Sequence, residues 1–193
     1  DGALWTRDML DDARTTTVPN LRRIVVAIDP AATANADSDE TGIIVAGADD
    51  HGHAYVLEDR SMRGSPAEWA SAAITAHHVH KADRIVAEAN QGGDMITHTL
   101  RTVDASAPVK LVHASRGKRT RAEPVAALYE QGRVHHAGTF PELEDQLCTW
   151  TPDGPSPDRL DALVWALTEL MVGSREPQAV VPFQATRRSP WSV

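Results

Sequence analysis

Short apolar runs bounded by turn residues mark the first part of the chain. Residues 23–28 (RIVVAI) form a β-branched run that stops at Asp29-Pro30, which predicts a strand buried on both faces. Residues 41–48 (TGIIVAGA) predict a second strand, and a polar turn containing glycine leads to a third at 54–57. We expect these three strands to form an antiparallel meander.

Helical and strand patterns alternate along the following residues. A helix opens at Ser65-Pro66, where serine caps the helix and proline takes its first position. This alternation predicts an α/β fold whose mixed central sheet is antiparallel in its first three strands, parallel beyond them, and flanked by helices. The further predicted strands are 83–89, 109–114 and 133–136, and the further predicted helices are 94–103, 119–131, 141–150 and 157–172.

The two ends of the chain differ from this central part. Residues 1–21 carry Trp5 and Leu10 among charges, which predicts a short helix and a connector outside the core. Because the chain begins without methionine, we expect it to be a piece of a longer protein. Residues 173–193 contain three prolines and predict an irregular tail. One domain is therefore expected over residues 22–172.

Composition narrows the class of protein. The chain has 193 residues, 41% of them apolar and 24% charged, which suits one folded domain and excludes a wholly disordered chain. No apolar run approaches the roughly 18 residues that a membrane span needs, so no membrane partner is expected. The single Cys148 excludes an intramolecular disulfide and a multi-cysteine zinc site.

The sequence lacks the motifs of two common kinds of catalytic site. The sequence contains no phosphate-binding loop of the G-x-x-x-x-G-K-[ST] type, so we do not expect ATP hydrolysis by this chain. It contains no nucleophile elbow that would support Ser-His-Asp catalysis. Nine histidines are present without a zinc-binding spacing, and we interpret most of them as surface residues.

The distribution of charge is uneven. The net charge of −8 argues against a nucleic-acid binder, whose usual footprint is a basic surface. Residues 101–136, however, hold seven basic and three acidic residues. A helix N-terminus with lysine and arginine suits phosphate, although a solvated run of charge explains the same pattern. The candidate DNA-binding residues are Arg116, Lys118, Arg119 and Arg121.

Three carboxylates occupy positions where acids are costly unless they are paired. Asp29 ends the first strand, Glu88 lies at the end of the strand at 83–89, and Asp161 lies in the first turns of the last helix. If the two strands are parallel neighbours, Asp29 and Glu88 emerge at the same sheet edge, where open α/β sheets bind ligands. Such a cluster suits Mg²⁺ or Mn²⁺, and acids holding two such ions form the arrangement used in phosphoryl transfer.

Each acid also has a simpler explanation. Asp29 could end a strand as a turn residue, Glu88 could pair with an arginine, and Asp161 could be favoured by the helix dipole. Asp158 could cap the last helix, but it also lies three residues before Asp161 and shares its helix face. Asp158 is therefore a candidate fourth ligand.

Acids before the second strand form a separate group. We interpret Asp37, Asp39 and Glu40 as solvated loop residues, one of which could reach the metal site.

Several of these segments together carry a family resemblance. They are 23–30 (RIVVAIDP), 39–43 (DETGI), 86–93 (VAEANQGG), 118–122 (KRTRA), 129–133 (YEQGR) and 157–165 (PDRLDALVW). In this order the chain resembles the C-terminal nuclease domain of large terminase subunits, the DNA-packaging motors of tailed phages and prophages.

The resemblance implies a fold, an activity and a site. It implies a ribonuclease-H-like fold and a metal-dependent endonuclease that cuts concatemeric double-stranded DNA when packaging starts and ends. By position, it implies that Asp29, Glu88 and Asp161 form the catalytic, metal-binding triad for two Mg²⁺ or Mn²⁺ ions. Asp158 stands where some members carry an extra ligand, and Glu88 stands where some relatives carry aspartate.

The resemblance also implies partners and a location. The partners would be double-stranded DNA, the ATPase domain of the same polypeptide, a small terminase subunit and the portal protein, in the host cytoplasm. Residues 1–21 would then be the remnant of the linker from the ATPase region. Two alternatives stay open: a stand-alone Holliday-junction resolvase or ribonuclease H of the same fold, and a non-catalytic domain that docks on the portal.

Overall fold

A seven-stranded sheet forms the centre of the computed structural model, which describes residues 2–30, 40–89 and 93–172. Its spatial order is β6-β5-β1-β2-β3-β7, with the short β4 paired to β2. The predicted acids Asp37 and Asp39 and the predicted tail 173–193 lie outside the described residues. The strands are β1 (Arg23–Asp29), β2 (Glu40–Ala48), β3 (Ala54–Asp59), β4 (Met62–Arg63), β5 (Arg84–Glu88), β6 (Val109–Val112) and β7 (Val134–His136).

The direction of the strands follows the sequence pattern. β1, β2 and β3 are antiparallel neighbours, whereas β5 is parallel to β1, β6 to β5, and β7 to β3. The predicted α/β fold with a mixed sheet is therefore confirmed. The two-residue β4 is too short to leave a hydrophobic period in the sequence, and it was not predicted.

Helices cover both faces of the sheet. The last predicted helix, 157–172, is not one continuous α-helix, because its hydrogen bonding changes to the π type at Thr168. Within the described residues, no helix is both long enough and apolar enough to cross a membrane. The helices are α1 (Arg7–Asp12), α2 (Pro66–Val79), α3 (Gly93–Val103), α4 (Lys118–Glu130), α5 (Pro141–Thr149) and α6 (Asp158–Leu167), followed by the π-helical turn Thr168–Val172.

Side chains of β1 point alternately into two apolar cores, one on each face of the sheet. Val26 and Ile28 pack with α2 and α3 on one face of the sheet, and Val25 and Ala27 pack with α1, α4, α5 and α6 on the other. Since side chains of a strand alternate between faces, Asp29 shares the face of Val25 and Ala27. The carboxylate that ends β1 therefore lies on the side of α4 and α6.

The N-terminal segment belongs to the second of these cores. Trp5 and Leu10 are buried, and Trp5 packs edge-to-face on Tyr129 with ring centroids 6.1 Å apart. The backbone of Arg14 bridges to His136 and extends the sheet beyond β7. The expectation that this segment lies outside the core is wrong, because its few apolar residues pack over a long sequence distance. Its origin as a linker from an ATPase region stays a prediction.

His136 is an exception to the interpretation of the histidines as surface residues. Its ring is fully buried, its Nε2 is hydrogen-bonded to the Tyr129 hydroxyl (2.8 Å), and its Nδ1 contacts Glu144 Oε1 (3.1 Å). The carboxylate of Glu144 also accepts two hydrogen bonds from Arg14, each of 3.1 Å. This buried polar chain joins the N-terminal segment to β7, α4 and α5.

Candidate active site

The ends of two parallel strands bring the first two acids together. Asp29 is the last residue of β1 and Glu88 is the last residue of β5. The register pairs Ile28 with Ala87, so the next residue on each strand lies at the same carboxyl edge of the sheet. Both side chains point to the face covered by α4 and α6. The predicted meeting of these two strand ends is observed.

A glycine allows α6 to reach this edge. Gly42 lies opposite Asp29 in the β1–β2 ladder. A Cβ atom at Gly42 would lie 2.1 Å from the carbonyl oxygen of Asp158 and 3.0 Å from Cβ of Ala162. The first turn of α6 therefore rests directly on β2, and it carries Asp158 and the buried Asp161 to the strand ends.

The negative charges of the neighbouring acids act on Asp29. Burial, followed by repulsion from Asp161, Glu88 and Asp158, raises the pKa of Asp29 to about 9, while Lys118 opposes the rise. Like charges in a poorly solvated site cannot all stay ionised without a compensating cation. The four acids thus form one cluster of interacting carboxylates at the carboxyl edge of the sheet.

Asp161 is held by two donors. Lys118 Nζ donates to its Oδ2 at 3.0 Å, and the Ser156 hydroxyl makes a short hydrogen bond to the same oxygen. The sequence pattern predicts that Lys118 contacts DNA. In the structure Lys118 begins α4, and its positive charge neutralises part of the acid cluster. Asp158 does not cap α6: it is the first residue of the helix, and Pro157 occupies the cap position.

Glu88 is held by an indole and faces a guanidinium. Trp165 Nε1 donates to Glu88 Oε2 at 2.7 Å. Arg121 lies over the Trp165 ring, 4.6 Å from its centroid, and its Nη1 is 3.9 Å from Glu88 Oε1. Sequence reasoning missed Trp165 and Ser156. The available signal was the position of Trp165, four residues after Asp161 and on the same helix face.

The donor chemistry of the cluster suits a hard divalent cation. Its donors are carboxylate oxygens, the preferred ligands of Mg²⁺ and Mn²⁺, and a cation would relieve the repulsion that raises the pKa of Asp29. Across the described residues, no three His, Cys, Asp or Glu side chains converge in a ready-made metal-binding group. In the structure one oxygen of each acid is held by the protein: Glu88 Oε2 accepts a hydrogen bond from Trp165, and Asp161 Oδ2 accepts one from Lys118.

Glu40 belongs to a different charged group. Its carboxylate forms a close ion pair with Arg159, whose Nε also donates to Asp59 Oδ2 at 2.9 Å. The interpretation of Glu40 as a solvated loop acid is wrong, because Arg159 on α6 reaches across to β2 and β3. This ion triad fastens the first turn of α6 to the sheet.

The four basic residues proposed for DNA lie in different environments. Arg116 is exposed, and Arg119 is exposed with its Nε donating to Glu123 at 2.8 Å. Lys118 bonds to Asp161, and the Arg121 side chain is only 9% exposed. A contact between any of them and DNA stays a prediction.

Comparison with known families assigns the chain to one of them. The family model of the terminase RNaseH-like domain matches residues 26–170. The chain belongs to this terminase family. No curated protein matches the chain.

Solved structures share the fold of this terminase domain. The large terminase nuclease of thermophilic phage G20c is 13% identical, with a TM-score of 0.65 over 88% of this chain and 100% of that chain. The nuclease domain of the large terminase subunit of bacterial virus Sf6 is 14% identical, with a TM-score of 0.66 over 86% and 98%. At these identities the likeness establishes the fold, and the expected ribonuclease-H-like architecture is confirmed.

Full-length terminases extend beyond this chain. The large terminase of bacteriophage HK97 is 12% identical, with a TM-score of 0.64 over 86% of this chain but 43% of that chain. A further structure of the Sf6 fragment, 14% identical with a TM-score of 0.65 over 86% and 98%, is described as a complex with calcium. This terminase domain thus spans less than half the length of such a large subunit.

Proposed function

We propose that this chain is the endonuclease domain of a viral DNA-packaging terminase. It hydrolyses phosphodiester bonds of concatemeric double-stranded DNA when genome packaging starts and ends. The observation that carries the proposal is the cluster of Asp29, Glu88, Asp158 and Asp161 at the carboxyl edge of the sheet, in a chain of the terminase RNaseH-like family.

Asp29, Glu88 and Asp161 are the proposed metal ligands, with Asp158 as the candidate fourth. Carboxylate donors and the raised pKa of Asp29 support a divalent cation, Mg²⁺ or Mn²⁺, and the Sf6 relative has been described with calcium. When bound, two such ions lower the pKa of a coordinated water and stabilise charge on the leaving oxygen.

The neighbouring side chains orient the acids. Trp165 holds one oxygen of Glu88, and Lys118 and Ser156 hold one oxygen of Asp161, so each carboxylate keeps a fixed direction. Orientation of this kind reduces the reorganisation needed when substrate enters.

DNA would be held through its backbone. The exposed Arg116 and Arg119 lie on the α4 side of the cluster and suit phosphate contacts, which position a duplex without reading its sequence. With a net charge of −8, the domain alone should bind DNA weakly and with strong salt dependence. We therefore propose that the ATPase domain of the same polypeptide brings it to DNA.

The other proposed partners follow from the same role. A small terminase subunit would supply sequence specificity, and the portal protein would receive the packaged DNA. The site of action would be the cytoplasm of the host bacterium.

A plasmid-nicking assay tests the proposal. We expect the purified chain to nick plasmid DNA with Mn²⁺ or Mg²⁺, and EDTA or the Asp29→Asn variant to abolish nicking. Asp50→Asn is the matched control, because Asp50 is an exposed turn residue at the opposite end of β2. Cutting that persists in Asp29→Asn or in EDTA would overturn the assignment.

Substrate choice separates the alternatives. Strong preference for branched DNA or an RNA–DNA hybrid over plain duplex would favour a stand-alone resolvase or ribonuclease H. Intact folding without any Mn²⁺-dependent cleavage would favour a non-catalytic docking domain.

A further inference from the structure

A cavity lies beside the acid cluster, between the start of α4 and the end of α6. Its volume is about 200 Å³, which is ample for a phosphate group. None of the four clustered carboxylates lines it, so a ligand there would not sit on the proposed metal ligands. Its lining includes His113, Ser115, Arg116, Thr120, Arg121 and Trp165.

Arg121 is the unusual member of this lining. Its side chain is more than nine-tenths buried, and its guanidinium stacks over Trp165. Within the described part of the chain, its Nε and Nη1 make no hydrogen bond. The Glu88 carboxylate, 3.9 Å from Nη1, is beyond hydrogen-bonding distance. Buried donors without an acceptor are uncommon and costly, so this guanidinium is suited to an acceptor that the described residues do not supply.

The rest of the lining favours a phosphate as that acceptor. Guanidinium N–H groups bind phosphate oxygens well, and the unbonded Nε and Nη1 of Arg121 can each donate to one. Arg116 adds a second positive charge, and Ser115 and Thr120 add hydroxyl donors. The cavity also borders the first turn of α4, whose cap residue Gly117 offers no side-chain hydrogen bond to the free N–H groups.

We propose that this cavity binds a non-scissile phosphate of the DNA backbone. The proposal rests on the proposed nuclease function and adds a substrate subsite to it. A phosphate bound there contacts the same guanidinium that faces Glu88, so the position of the duplex is set relative to the acid cluster. Arg121 is then a substrate-binding residue, and Trp165 forms the wall on which it stacks.

Nuclear magnetic resonance of the Arg121 side chain tests the proposal directly. The ¹⁵N-labelled chain is kept in EDTA, and the Nε–H signal of Arg121 is identified by its loss in Arg121→Lys. We expect inorganic phosphate and a short DNA duplex each to shift this signal to saturation, with the duplex displacing phosphate. A signal that responds to neither overturns the proposal, as does one that responds to phosphate alone.

Kinetics supply a second readout. Arg121→Lys keeps the charge but loses the two-pronged donor, and we expect the DNA KM for nicking to rise about tenfold while kcat changes less. Arg101→Lys is the matched control, since Arg101 is exposed in the last turn of α3. An unchanged KM in Arg121→Lys would contradict the proposal.

A third variant guards against misfolding of Arg121→Lys. Thr120 is exposed, so Thr120→Val leaves the core intact while removing one hydroxyl from the cavity. We expect its phosphate affinity to fall about fivefold. Unchanged affinity in both variants would overturn the subsite.

The two proposals fail in different ways. If the chain does not nick DNA with Mn²⁺ but its Arg121 NMR signal shifts with duplex, the phosphate site is supported and the nuclease function is contradicted. If the chain nicks DNA but its Arg121 NMR signal does not shift, the nuclease function is supported and the phosphate subsite is contradicted.

Discussion

Gly42 on β2 and Asp158 on α6 are in contact through backbone alone. The position that a Cβ atom would take at Gly42 is 2.1 Å from the carbonyl oxygen of Asp158. Gly42 is also the ladder partner of Asp29, so this contact fixes the distance between the end of β1 and the first turn of α6. The geometry of the acid cluster thus depends on a residue that has no side chain.

Replacing Gly42 with alanine should move α6 and weaken the site. The added methyl group clashes with backbone atoms, which cannot rotate away as a side chain can, so we expect a loss of about 1–3 kcal/mol in the free energy of unfolding. We also expect the rate of Mn²⁺-dependent nicking to fall by more than the loss of folded protein explains, because Asp158 and Asp161 move together. Urea unfolding and plasmid nicking are the measurements.

Gly154→Ala is the control for this substitution. Its Cβ atom would lie 3.5 Å from the nearest atom, the carbonyl oxygen of Thr151, which is an ordinary contact. Equal losses in Gly42→Ala and Gly154→Ala would contradict the role assigned to Gly42.

Asp29→Asn should stabilise the metal-free chain while removing its response to metal. The raised pKa of Asp29 means that folding at neutral pH costs the free energy of protonating it, and asparagine keeps the shape of the side chain without that cost. In EDTA we expect its melting temperature to exceed that of the wild type by a few degrees, about 3 °C. Added Mn²⁺ should then raise the melting temperature of the wild type more than that of the variant. A variant less stable than the wild type in EDTA would argue against repulsion within the cluster.

Trp165→Phe should impair the site without opening the core. Phenylalanine keeps a ring under Arg121 but loses the N–H group that holds Glu88. We expect kcat to fall about tenfold and the Mn²⁺ concentration for half-maximal nicking to rise, since Glu88 loses its fixed direction.

Trp150→Phe provides the matched control for Trp165→Phe. Trp150 is also buried, and its Nε1 donates to the carbonyl of Gly154 at 3.4 Å. A half-maximal Mn²⁺ concentration that stays unchanged in Trp165→Phe would show that the indole has only a packing role.

The sequence predicted the parts of the site that depend on local pattern. Asp29 and Glu88 could be placed because each ends an apolar strand, and carboxyl ends of parallel strands share one edge. Asp161 could be placed because it opens an apolar helix. These signals lie within single elements, and so does the alternation that predicted the mixed sheet.

Contacts between elements that lie far apart in the chain could not be predicted from the sequence. The approach of α6 to Gly42 and the pairing of Arg159 with Glu40 arise only when the helix packs on the sheet. The burial of Trp5 depends likewise on Tyr129, far along the chain. No period or spacing in the sequence records which helix covers which strand, so the partners of the site residues could not be predicted.

The buried chain of His136, Glu144 and Arg14 predicts loss of stability in acid. Burial lowers the pKa of His136 below its ordinary value of 6.5, so the folded state keeps the ring neutral while the unfolded state takes up a proton as the pH falls. Burial alone would raise the pKa of Glu144, but hydrogen bonds from Arg14 and His136 lower it below its ordinary value of 4.5, so its contribution is lost only in stronger acid, below pH 4.5. Both effects have the same sign. We expect about 1 kcal/mol less unfolding free energy at pH 5 than at pH 7, measured with urea.

Substitution of the buried ring isolates its share of this pH dependence. His136→Gln cannot take up a proton, so we expect the loss between pH 7 and pH 5 to shrink, even if the variant is less stable at both values. His98→Gln, at an exposed position on α3, is the matched control and should retain the wild-type difference between the two pH values. If His136→Gln loses as much stability between pH 7 and pH 5 as the wild type, the acid sensitivity arises elsewhere in the domain.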